Sequence, residues 1–174
     1  MKKTNIWIIM LLSSVLSFQA CSDDDDDDAM TLSSQTFVTE ATSGNMLEIQ
    51  AGAMAVQKAQ NAQVKAYGQH MVTDHTQASA EMATVANSKG LTVPTQLTAK
   101  HQTQLSTLSP LTGTAFDKAF MNLMVQSHQE QVSLFERASD NVDDGDLKAL
   151  AINKLPVLQA HLQEAIQLNK GINP

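Results

Sequence analysis

From Ser33 to the C-terminus, apolar residues recur every three or four positions. That period is the signature of amphipathic helices, and it constrains this chain more than any other feature. The clearest stretch is a heptad seam of Val64, Tyr67, Met71, His75, Ala78, Met82 and Val85. It predicts a helix opened by Asn61 as N-cap and stopped after Lys89 by Gly90. Before it, Phe37, Ala41, Gly44, Glu48, Ala51 and Ala55 share one face of a helix over about 34–60. A third long helix over about 114–139 turns Phe116, Phe120, Leu123, Met124, Gln131, Leu134 and Phe135 inward. After the turn chemistry of Asn141–Gly145, a fourth runs to Lys170 on Leu147, Leu150, Leu155, Leu158, Leu162, Ala165 and Leu168. Gly171 should stop it, and Pro156 inside it should kink it.

Four such helices, each about 40 Å long at 1.5 Å per residue, can bury their stripes only against one another. The expected fold is therefore all-α, a four-helix bundle. Aromatic residues are only 4% of the chain, which argues against a β-sandwich or barrel. The connection over 90–113 is long enough to cross the whole bundle and to hold a short extra helix from Pro94 to about Leu108. A long crossover between the second and third long helices is the ferritin-like arrangement. Gly44, Gly52, Ala51, Ala53 and Ala55 on the first helix allow a close helix approach or mark an interaction face, which periodicity does not separate.

The N-terminus reads as an address. Lys2 and Lys3 precede an apolar run over 5–18, too short for a retained membrane span, and Gln19-Ala20-Cys21 follows. This looks like a bacterial lipoprotein signal, with residues 1–20 as leader and Cys21, the chain's only cysteine, as the lipidated residue. Phe18 stands where such signals prefer Leu. Ser22 and Asp23 to Asp28 repel one another and bury nothing, so residues 21–33 form an acidic tether. An acidic run directly after the lipidated cysteine resembles a surface-export signal. The expected location is the outer membrane with the domain facing outward, the alternative being a periplasm-facing anchor. The folded unit is then 34–174. Residues 31–174 carry 12 acids against 9 bases, and Trp7 lies in the leader, so a nucleic-acid partner is not expected.

Three segments, in order, carry a resemblance: FVTEATSGNMLEIQAGAMAVQKAQNAQVKAYGQHMVTDHTQA, FDKAFMNLMVQSHQEQVSLFE and LPVLQAHLQEA. Together they resemble a ferritin-like family of bacterial envelope proteins known as domain of unknown function 4142, over roughly residues 35–168. The resemblance implies a helical bundle in the envelope and no particular reaction.

The chemistry that the residues exclude is clear. There is no G-x-S-x-G elbow and no phosphate-cradling glycine loop. None of Glu40, Glu48, Glu81, Glu130, Glu136 and Glu164 has a histidine three residues later, so the usual di-iron carboxylate motif is absent. What remains is a set of histidines on apolar seams: His75, His128 and His161, with Glu48 at the same depth. Counting from helix midpoints, the four fall in a layer about 5 Å deep. Three imidazoles and a carboxylate at one level suit zinc, iron or copper. Met71 and Met124 each precede a layer histidine by four, which leans toward copper. The competing reading is a packing network, with Asp74, Asp117 and Glu136 available as partners. His70 and His101 read as peripheral and solvated.

Taken alone, the sequence favours a membrane-anchored envelope lipoprotein whose bundle is a non-catalytic structural or interaction module. Transition-metal storage, sensing or redox protection through Glu48, His75, His128 and His161 is the alternative. It names no partner protein and no oligomeric state.

Overall fold

The computed structural model describes residues 31–173; the leader, Cys21 and the Asp23–Asp28 run lie outside them. Five helices follow in order: α1 (Ser34–Lys58), α2 (Ala62–Ser88), α3 (Ala99–Leu108), α4 (Gly113–Asn141) and α5 (Gly145–Ile172). Among the described residues no helix is long and apolar enough to cross a membrane.

Three of the four long helices start where a side chain can accept their free N–H groups; Thr112 before α4 makes no such bond. The Ser33 hydroxyl accepts from Thr36 N, Asn61 Oδ1 from Gln63 N at 2.7 Å, and Asp144 Oδ1 from Asp146 N at 2.9 Å. Two boundaries differ from expectation. α3 begins at Ala99, because Thr98 rather than Pro94 supplies the cap. α5 carries through Gly171 to Ile172, since that glycine takes no left-handed conformation and nothing crowds it. Gly90 does end α2, with φ of 67°.

Contacts between the ends set the topology. Asp117, one turn into α4, accepts from Gln60 N at 3.0 Å and Asn61 N at 2.9 Å, so α4 starts beside the α1–α2 turn. At the opposite end, Leu32 N donates to Asn141 O at 3.1 Å, and Lys89 pairs with Asp144 at 3.1 Å. α1 and α5 therefore run one way and α2 and α4 the other. The segment 89–112, carrying α3 against α1 and α4, crosses the bundle's full length. This is the ferritin-like order, and the extra helix sits in the crossover as expected.

The core comes in two parts. Leu47, Ala51, Tyr67, Met71, Phe116, Phe120 and Met124 fill the half nearer the α1–α2 turn. Phe37, Ala41, Met82, Leu134, Phe135, Leu147 and Leu158 fill the other. Between them lies a layer of buried polar side chains.

Candidate metal centre

Each long helix contributes one member of that layer: Glu48 from α1, His75 from α2, His128 from α4 and His161 from α5. All are buried, Glu48 and His128 completely. The stripe that each helix turns inward carries one of these four side chains, and the antiparallel pairing brings them to one level.

The three imidazoles form a nearly equilateral triangle. Ring centroids are 5.6 Å apart for His75 and His128, 5.4 Å for His75 and His161, and 5.5 Å for His128 and His161. Each ring is held by one nitrogen. His75 Nδ1 lies 2.9 Å from Asn45 Oδ1, His128 Nδ1 2.9 Å from Met124 O, and His161 Nε2 3.1 Å from Asp74 Oδ2. Those acceptors require the held nitrogen to carry the proton, which leaves the other as a lone-pair donor. His75 Nε2, His128 Nε2 and His161 Nδ1 are buried and have no protein partner. One ring nitrogen from each of the three lies within 4.8 Å of the other two.

Glu48 meets the protonated edges. Its Oε2 is 3.0 Å from His75 Nδ1, its Oε1 is 3.5 Å from His128 Nδ1, and Oε1 accepts from Ser127 Oγ at 2.8 Å. His75 Nδ1 points its proton at Asn45, so Glu48 Oε2 gains charge proximity rather than an aligned hydrogen bond. Burial works to raise the Glu48 pKa. The neighbouring His75 and His128, the Ser127 hydroxyl and His161 together outweigh it and hold the carboxyl below its ordinary value. His75 is pushed down by burial, only partly offset by Glu48. His161 is pushed down to about 4 by burial and by its two imidazole neighbours, against the pull of Asp74. These two rings are therefore neutral at pH 7, the form that binds metal. Tyr67 closes one side, its hydroxyl donating to His161 O at 3.2 Å.

The described residues include supports that sequence reasoning did not pick out. Asn45, three residues before Glu48, and Ser127, next to His128, both point into the layer. Their spacing was visible, but nothing in it separates a polar core partner from a solvated one. Of the three acids available for pairing, only Asp74 meets a histidine of the layer. Asp117 caps the α1–α2 turn instead, and Glu136 is exposed.

The two outlying histidines also differ from expectation. His101 is buried, with Nδ1 2.7 Å from Ser43 Oγ, because the crossover lays α3 flat on α1. Burial and the adjacent Lys100 lower its pKa. His70 is half-exposed yet not freely solvated: Asp74 and Glu164 flank it at 3.1 and 3.4 Å.

Residues 19–168 match the family described as a domain of unknown function, DUF4142. The chain belongs to the DUF4142 family. The fold of this DUF4142 domain is shared with solved structures. The Cu(II)-bound form of CopM superimposes with a TM-score of 0.68 at 21% identity, over 82% of this chain and 99% of that one. The Cu(I)-bound form of CopM gives 0.67 at 20% identity, over 80% and 97%. A DUF305 fragment from Deinococcus radiodurans gives 0.69 at 14% identity, over 78% and 94%. Among curated proteins no sequence relative matches. At these identities the likeness speaks for the fold alone.

Proposed function

We propose that this DUF4142 domain binds a transition-metal ion, copper foremost, at His75, His128 and His161. The observation that carries the reading is the set of three buried ring nitrogens without a protein partner, on three rings that each bring one nitrogen within 4.8 Å of the other two. In a purely structural layer, each orphaned polar atom would cost roughly 1–3 kcal/mol with nothing in return. Three imidazoles suit copper or zinc. The solved CopM structures hold Cu(II), Cu(I) and silver within the same fold, which supports copper over zinc. So do the buried Met71 and Met124, thioethers close in sequence to two of the rings.

In this reading Glu48 acts from behind the ligands. It faces the Nδ1 side of His75 and His128, and with Asn45 and Asp74 it keeps the ligating nitrogens unprotonated. Metal content after purification without an affinity tag is the deciding measurement. One copper per chain, lost in His128→Ala with helicity retained, is the expected outcome. A wild type that neither retains nor takes up copper or zinc would leave the layer as core packing.

The leader and Cys21 support anchoring of the domain to the outer membrane by lipid, and Asp23 to Asp28 support export to its outer face. Cys21→Ser should then release the protein from the membrane fraction. Retention there would overturn the anchor.

A further inference from the structure

A second group of ligating side chains lies on the α2–α5 face, outside the imidazole triad. His70 Nε2 is 3.1 Å from Asp74 Oδ2, and His70 Nδ1 is 3.4 Å from Glu164 Oε2. The same Asp74 oxygen is 3.1 Å from His161 Nε2. The His70 and His161 rings have centroids 4.9 Å apart, and His70, Asp74 and His161 each offer a ligand atom within 4.8 Å of the others. His161 thus belongs to both groups. Its Nε2 faces the outer one, and its unpartnered Nδ1 is left for the buried one. Burial falls along the same line: His70 and Glu164 are 45% and 46% exposed, Asp74 is intermediate, and His161 is buried. A cavity of about 170 Å³ between α2 and α5 has Asp74, His75 and His161 in its wall, so the residue of the outer group nearest the core and two rings of the triad face one space.

We propose that His70, Asp74 and Glu164 form an outer capture site that passes a metal ion to the buried triad through the shared His161. The inference rests on the metal-binding reading above. Two carboxylates beside an imidazole present an N/O donor set that suits a hydrated divalent ion such as Cu(II) or Zn(II). Their negative charge at the rim attracts cations, which the apolar core halves on either side cannot do. Transfer is ligand exchange without any change of oxidation state. The ion gives up the exposed carboxylates one at a time and gains the His75 and His128 nitrogens. The His161 ring serves both ends by tautomer exchange: its proton sits on Nδ1 while Nε2 holds the ion at the rim, and returns to Nε2 beside Asp74 when Nδ1 holds the ion in the core.

The test uses the full chain and Cu(II) chloride. Samples are taken at intervals after mixing, challenged briefly with EDTA and desalted, and the retained copper is measured. EDTA strips an ion at the rim and spares one in the core. The wild type should reach one retained copper per chain. His70→Ala and Glu164→Gln should reach the same endpoint at least tenfold more slowly, with unchanged circular dichroism, because both side chains are half in solvent. Loading at the wild-type rate overturns the capture site. A lower endpoint in the variants also overturns it, by making these residues part of the holding site. A wild type that retains no copper fails the metal-binding reading itself, and the capture site with it.

Discussion

Gly52→Ala is expected to destabilise the domain, although alanine is the better helix former. Gly52 on α1 faces Gly68 on α2 where the two backbones come close. A Cβ on Gly52 would lie 2.5 Å from the Gly68 carbonyl oxygen and 3.1 Å from Val72 Cγ2. That is about 0.9 Å short of an ordinary 3.4 Å contact, and a backbone oxygen inside a helix cannot rotate away. The helices must part, at the ~1–3 kcal/mol typical of overpacking, against up to ~1 kcal/mol gained in helix propensity. The expected net loss is ~1–2 kcal/mol, which for a domain of this size lowers the melting temperature by roughly 2–8 °C. Because Glu48 lies one turn before Gly52, parting also loosens the 3.0 Å approach to His75. Gly171→Ala is the control. It gains the same propensity near the end of α5 with nothing within 4 Å, so it should be neutral or slightly stabilising. Gly68→Ala meets Ala55 Cβ at 2.6 Å, and the double variant should cost less than the sum, since one opening relieves both clashes. Urea denaturation of all four proteins decides it. If Gly52→Ala behaves like Gly171→Ala, the close approach and the reasoning from it are wrong.

Two further outcomes concern the metal-free layer. Glu48→Gln puts an amide N–H₂ among the Ser127 and His75 donors, and should lower stability by ~1–3 kcal/mol in denaturant; an unchanged midpoint would show that the carboxylate is not anchored there. Stability should be flat above about pH 7 and fall as pH drops from about 6.5 toward 4. The unfolded chain takes up protons at ordinary histidine values, whereas folded His75 and His161 resist until lower pH, His161 until about 4. Below that, the lowered Glu48 pKa extends the decline in the same direction. Stability rising on acidification through this window, followed by thermal melts, would mean the imidazoles are charged in the folded state.

Much of the bundle was legible because a helix's burial pattern is local. Residues three and four apart share a face whatever the helix packs against, so the stripe through Phe116, Phe120, Leu134 and Phe135 could be read without knowing its partner. Caps were legible for the same reason: Asn61 needs only its own next three residues. Boundaries set by contact were not. Pro94 looked like a helix start, but Thr98 became the cap once its N–H found Ser43 Oγ on α1 at 2.9 Å. His101 looked peripheral because α3 is short and polar, and its burial depends on where the crossover lies.

The sequence by itself determined that the chain forms long amphipathic helices, that a crossover joins two antiparallel pairs, and that one polar residue per helix falls at a common depth. Period and length decide these things, and both belong to the chain before it packs. Only the tertiary structure decided what that depth contains. A helical register says which face His75, His128 and His161 occupy, but not which way each ring turns. The turn is set by Asn45, Met124 O and Asp74, of which Asn45 comes from a neighbouring helix and Asp74 from the helix facing His161. Hydrogen-bond direction and burial arise between elements, so the protonated edge of each ring, and with it the free nitrogen, exists as a feature only after the four helices have met.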